Sequence, residues 1–307
     1  MRADYHFHPN LQGKSSARRL RALWKAIGRH RIDAIICTEH TFKNAPNAYR
    51  RMIAAKPDGS ATHVFAGAEL VTNDGMGIDV IAFADRDWYD DHPLLLEPFA
   101  LSLREMITYL EATNLQYFIP HPYLIKNPLK DLFDSPGSMR AFLERVPGYE
   151  AFNGCYLGLE RFLGFPLLRR LFLHFRRQLR ESARPPQEYL PPEPVQFIAV
   201  GSDAHHPSEI GLCVDVDCPD IHSARCVFAA LITNTDIRSL HYSRKPAGFL
   251  QLCRMAWTTF TESTMRRAWI IRRYLERTFG EKEITLATDI IPEHSLLTET
   301  DMPDDIF

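Results

Sequence analysis

Two rhythms of apolar and polar positions alternate along this chain. Short runs of β-branched and aromatic residues predict strands, and longer segments with apolar residues three or four apart predict helices. Ala3–Phe7 predicts a strand ending among histidines. Residues 15–28 predict a helix, with Leu20, Leu23 and Ile27 on one face and arginines opposite. Asp33–Thr38 predicts a buried strand, and Val64–Val71 and Gly77–Ala84 two more, joined by a turn containing Asn73, Asp74 and Gly75. Beyond them the pattern predicts helix over Leu101–Thr113, strand over Gln116–Pro120, helix over Ser138–Arg145, strand over Tyr149–Phe152, strand over Val195–Gly201 and helix over His222–Asn234. Strands mostly followed by helices predict an α/β fold with a largely parallel sheet, closed as a barrel or open and doubly wound. Polar residues recur just past the ends of many different strands, which favours the barrel, because an open sheet concentrates its site at one switch point.

Two regions stand apart from this alternation. A basic helix and a proline-rich connector, RPPQEYLPPEP, occupy about 156–194, and a second basic helical stretch covers 242–280 before an acidic tail. The expected division is a barrel over 1–240, with the basic insertion inside it, and a C-terminal helical extension with its tail over 241–307. Of the 307 residues, 45% are hydrophobic and 24% charged, which excludes a fibrous or disordered chain. The formal net charge of -2 gives no global attraction to nucleic acid or anionic membrane, so such attraction must come from a local patch. No run approaches the roughly 18 apolar residues of a membrane span, and MRADYHFHPN lacks the apolar core of a signal peptide. The six cysteines are scattered without a CxxC pair. A reduced, cytoplasmic protein is the expectation.

Histidine carries the chemistry. His6 and His8 are two apart on a strand and project from the same side, which suits a zinc, manganese or iron site. Asp4 shares that side and is expected to hold an Nδ1–H from behind. Thr38-Glu39-His40, Gly67-Ala68-Glu69, Pro120-His121-Pro122, Glu150-Ala151-Phe152-Asn153 and Gly201-Ser202-Asp203-Ala204-His205 each fall at or near a strand end. Asp203 and His205 repeat the spacing of His6 and His8. Asp79 is an acid among Ile78, Val80 and Ile81, a costly position unless it is paired or bound to metal.

Taken in order, HFH, TEH, GAE, IPHP, EAFN and GSDAH resemble the motifs of the PHP (polymerase and histidinol phosphatase) superfamily of metal-dependent phosphoesterases, over about residues 1–235. The resemblance implies a distorted seven-stranded β/α barrel with two or three divalent ions (Mn, Zn or Fe) in a cleft at the strand ends. It implies that His6, His8, Glu69 and Asp203 hold a first metal. Glu69 would bridge to a second, with His121 and Asp79, where many members have histidine. His40 and His205 would serve a third. That ion's further ligand comes from the loop after HFH, which here offers Lys14. A protonated lysine cannot ligate and would repel a cation, so the third ion is expected to bind weakly or not at all, with Lys14 taking over part of its work as a point charge on a phosphate oxygen, beside His40 and His205 as the other catalytic groups.

The expected activity is hydrolysis of a phosphomonoester or nucleotide, with a small phosphorylated substrate as the partner. The alternatives are a nuclease trimming nucleic-acid ends and an altered PHP barrel acting as a binding module. Arg161, Arg169, Arg170, Arg176, Arg177, Arg180 and Arg184 in the insertion, and Arg254, Arg266, Arg267, Arg272, Arg273 and Arg277 with Trp257 and Trp269 further on, would supply a nucleic-acid track. The same residues equally suit solvated helix faces packed on the barrel.

Overall fold

Strand β1 (Arg2–Phe7) lies within a mixed sheet whose order is β5-β4-β3-β2-β1-β8-β9. In this computed structural model the described residues are 1–11, 16–122, 129–155, 198–233, 240–242 and 249–279, together with Leu163, Arg170, Leu173 and Arg177. The other sheet members are β2 (Ala34–Cys37), β3 (His63–Val71), β4 (Asp79–Ala84), β5 (Gln116–Phe118), β8 (Leu212–Asp215) and β9 (Leu240–Tyr242). Strands β6 (Glu150–Asn153) and β7 (Ile198–Gly201) form a separate parallel pair.

The sheet is mixed where a largely parallel one was expected. β1, β2 and β3 run parallel, while β3–β4, β4–β5, β1–β8 and β8–β9 are antiparallel. The reason is local. The turn after Val71 is too short for a crossover, so β4 must fold back on β3. Gly75 and Gly77 supply its positive φ angles, and the Ile78 amide donates to Thr72 Oγ1 at 2.9 Å.

The closed seven-stranded barrel is replaced by a partial one. The sheet curls, and among the described residues single bridges tie it to the segments flanking the β6–β7 pair: Ile119 to Tyr149 on one side, and Phe7 to Ala204 on the other. Strands β8 and β9 extend the sheet beyond β1 instead of closing a ring.

Helix α1 (Ser16–His30) buries Leu20, Leu23, Trp24 and Ile27 against Ile35 of β2 and Met52 of α2 (Ala45–Ala54). The Asn44 side chain caps α2 by accepting from the Asn47 amide. α3 (Pro93–Leu96) is a single turn, α4 (Leu103–Glu111) starts at a Ser102/Glu105 capping box, and α5 (Pro136–Leu143) starts at Ser135. α6 (Ala224–Thr233) covers the sheet beside Phe83. The long α7 (Phe249–Phe279) lays Met265, Trp269 and Ile270 on a small cluster of Phe42, Val71 and Phe99. That cluster lies at the strand ends, so α7 runs beside the histidine-bearing segments. Most of the basic stretch at 156–194 and the acidic tail lie outside the described residues. Among the described residues no helix is long and apolar enough to cross a membrane.

Candidate metal centre

The ends of β1 and β3 and the turn after β7 bring four side chains together. His8 Nε2 lies 3.1 Å from His6 Nε2, 3.3 Å from Glu69 Oε2 and 3.3 Å from Asp203 Oδ1. His6 Nε2 lies 3.5 Å from Asp203 Oδ1 and 4.0 Å from Glu69 Oε2. All four are buried. His121 joins from the segment after β5, its Nε2 3.0 Å from Glu69 Oε1. His40, after β2, places Nδ1 2.8 Å from Glu69 Oε2. Asp79, at the start of β4, completes a further group with His40 and Glu69. His205 stacks its ring on His8 at 4.3 Å. Four overlapping triads result: His6–His8–Asp203, His6–Glu69–His121, His40–Glu69–Asp79 and His8–His40–His205. Within each, the ligand atoms lie inside 4.8 Å of one another.

The backbone is shaped for this convergence. Asp203 and His121 have φ of 48° and 26°, conformations that cost a non-glycine residue about 1–3 kcal/mol and persist only when neighbours fix them. The Asp203 amide donates to the His6 carbonyl at 2.9 Å, and the His121 amide to Glu150 Oε2 at 2.8 Å. Gly201 is required by close approach: a Cβ there would lie 2.6 Å from Glu150 Oε1 and would run into the His6 Cβ.

Glu150 organises the shell behind the cluster. Its Oε1 lies 3.2 Å from His6 Nδ1 and accepts from the Gly201 amide at 3.2 Å. The Asn153 amide nitrogen donates to Asp203 Oδ2 at 2.7 Å, leaving Oδ1 for the centre. The supporting role expected of Asp4 therefore belongs to Glu150. Asp4 Oδ1 instead accepts from the amides of Ser202 at 3.2 Å and His6 at 3.4 Å, and burial pushes its pKa up to about 7.

The donor set fits divalent cations. Glu69 Oε2 and His40 Nδ1 are fully buried and make no hydrogen bond among the described residues, although they lie within 3 Å of each other. Buried polar atoms left in this state are rare, and imidazole nitrogen beside carboxylate oxygen suits Zn, Mn or Fe. The charges point the same way. Burial alone would raise the pKa of Asp203, but His6, His8 and His205 outweigh it and hold the group well below the usual carboxylate range. Glu69 is lowered likewise, with His40 and His121 outweighing burial. Glu39 is held at about 2 against its burial by His8, Lys43 and His40. These carboxylates are ionised at neutral pH, as ligands must be.

α7 forms the remaining wall of the cleft through Thr258, Thr259, Glu262 and Arg266. Glu262 Oε1 lies 2.9 Å from His205 Nε2, 3.2 Å from His40 Nε2 and 2.8 Å from Lys43 Nζ. Arg266 Nη2 reaches both Asp79 oxygens, at 2.7 and 2.8 Å. Sequence reasoning missed Glu262, Arg266 and Lys43 as site residues. No local signal marked them: Glu262 is one of two acids in an arginine-rich helix, Glu276 being the other. Lys14 lies outside the described residues.

No protein-family model matches this sequence, and no curated protein matches it. A structural comparison finds similarity to the crystal structure of PsfC from Pseudomonas syringae PB-5123, at 15% identity and a TM-score of 0.47, over 87% of this chain and 98% of that one.

Proposed function

We propose that this protein is a metal-dependent phosphoesterase of the PHP type, acting on a phosphomonoester or nucleotide. The observation that carries the reading is the convergence of His6, His8, Glu69 and Asp203, with His121 beside them, at the ends of separate strands. His6, His8 and Asp203 would hold one cation, Glu69 would face it and a second with His121, and the ions would be Mn, Zn or Fe, two or three per chain. Held by these residues, such cations would supply positive charge for phosphoryl oxygens and would lower the pKa of a water. The chain supplies the positioning. Glu150 and Asn153 fix the His6 ring and the Asp203 carboxylate, and the buried Glu69 spans the cluster.

The α7 wall favours a small ester over a polymer. Of the six α7 arginines only Arg266 lines the cleft, and it is engaged with Asp79; outside the cleft Arg272 pairs with Glu276 at 2.8 Å and Arg273 with Glu276 at 2.7 Å and Glu97 at 2.9 Å. Paired guanidinium groups do not form an open backbone track. The test is metal analysis of the purified protein, followed by a phosphate-release screen across nucleotides, sugar phosphates and oligonucleotides. Retained transition metal with release from small esters is the expected result. A protein that takes up no divalent metal and releases no phosphate would overturn the reading.

A further inference from the structure

We propose that Glu262, delivered by the C-terminal helix α7, is a metal ligand: with His40 and His205 it forms a third corner of the centre, a site built from the two histidines and a carboxylate roughly 60 residues downstream in the chain. The inference rests on the metal-centre reading above and adds a residue to it from outside the strands.

The hydrogen bonding of His205 turns its Nε2 towards Glu262. Its Nδ1 lies 3.1 Å from the Asp203 carbonyl oxygen, which can only accept, so Nδ1 carries the proton. In the neutral ring Nε2 is then a lone pair, and it points at Glu262 Oε1 from 2.9 Å. His40 aims its Nε2 at the same oxygen from 3.2 Å. Two imidazole nitrogens thus face one carboxylate oxygen: without a metal the protonated rings donate to it, and with a metal the same three atoms would be its ligands. A ligating histidine whose other nitrogen is fixed by a backbone carbonyl is the usual arrangement at metal sites.

The helix that carries Glu262 is also held rigidly. Arg266, one turn beyond Glu262, grips both oxygens of Asp79, and Met265 and Trp269 pack on Phe42, Val71 and Phe99. These contacts fix the helix in register on the cleft, so Glu262 is presented by an anchored element. Lys43, from the turn after His40, donates to Glu262 at 2.8 Å. Hydrogen bonding of that kind orients a ligating carboxylate. The same contact also defines the rival arrangement, in which the Lys43 ammonium itself neutralises Glu262 and no third ion binds.

The experiment counts metal in the full-length protein, stripped with chelator and titrated with Zn²⁺ or Co²⁺, by calorimetry and elemental analysis. Wild type is compared with E262A, E262Q, H205A, E262A/H205A and K43M, each checked for retained fold by circular dichroism. The proposal expects E262A and H205A each to lose one and the same equivalent, the double variant to lose no more than either, and the Co²⁺ visible spectrum to change in both. E262Q keeps the size of the side chain and should weaken that equivalent by about tenfold or more. K43M should keep the wild-type count. Unchanged stoichiometry and affinity in E262A and E262Q would overturn the assignment while leaving the metal centre intact, as would a K43M protein that gains an ion over wild type. A wild type that binds no metal would instead sink the metal-centre reading itself, and the role of Glu262 with it.

Discussion

The Nδ1 of His6 and the Oε1 of Glu150 lie 3.2 Å apart, both fully buried. This contact decides which imidazole nitrogen faces the centre. A carboxylate behind Nδ1 keeps the proton there and leaves Nε2, 3.1 Å from its counterpart on His8, as the ligand. Replacing Glu150 with Gln removes the charge and keeps the shape. Metal affinity should fall about 10- to 100-fold while the protein stays folded, since outer partners of ligating histidines are worth that much. Calorimetric titration of E150Q reads it directly. Wild-type affinity in that variant would show that the ring is oriented by its packing alone.

Asp203 is the strand-end carboxylate on which the first metal would depend. D203A should lose tight metal binding and all phosphate release. It should nevertheless keep its cooperative melt, because Asp203 contributes no apolar packing and the His6 carbonyl still receives the backbone amide of residue 203. Parallel metal analysis and differential scanning calorimetry check both halves. Full activity in D203A would remove the carboxylate from the site.

Arg266 and Asp79 form a buried ion pair that joins α7 to β4. Breaking such a pair from one side leaves an uncompensated buried charge, at a cost of about 3–5 kcal/mol. R266M should therefore unfold at markedly lower urea concentration than wild type, and R266M/D79N should recover part of the loss. A double variant no more stable than R266M alone would mean that Arg266 acts through its contact with Phe42, over whose ring it lies at 5.4 Å, and not through Asp79.

What could be read from the sequence follows from the range of the interactions. β1 through β5, and the histidines and carboxylates at their ends, are visible because i, i+2 spacing and apolar runs are local signals. The direction of β4 was also local, written in the tight turn at Asn73–Gly77, but the strand–helix rhythm overrode it. The β8 and β9 strands went unread although, at four and three residues, they are no shorter than β2 and β5. α2 was overlooked because it follows the polar stretch at Lys43–Asn47, where Asn44 is in fact its cap. The arrival of Glu262 between His40 and His205 was invisible for a different reason. It joins residues 222 and 57 positions apart through the docking of a whole helix, and nothing in the basic pattern of that helix marks which of its residues would face the cleft. The Asp4 assignment failed because strand spacing fixes the side on which a residue lies, not the partner it finds there.

Burial would lower the pKa of His121, but its bond to Glu69 and the charges of Glu69, Asp203 and Asp79 outweigh it and push the pKa up to about 10. His205 is likewise raised to about 10, with Glu262 and Asp203 outweighing burial and the opposing charge of Lys43. The ordinary histidine value is 6.5. In chelator, the stability these pairs contribute is therefore full below about pH 6.5 and is lost as pH climbs towards about 10. A cation reverses the slope. Each ring must give up its proton to ligate, so apparent affinity should rise by about tenfold per pH unit for every proton released, and the stabilisation conferred by Zn²⁺ or Mn²⁺ should be larger at about pH 8 than at about pH 6. Thermal melts with and without metal at the two pH values give the comparison, and calorimetry in buffers of different ionisation enthalpy counts the protons. A metal-induced shift in Tm that is independent of pH, with no proton release, would mean that neither His121 nor His205 exchanges its proton for the ion.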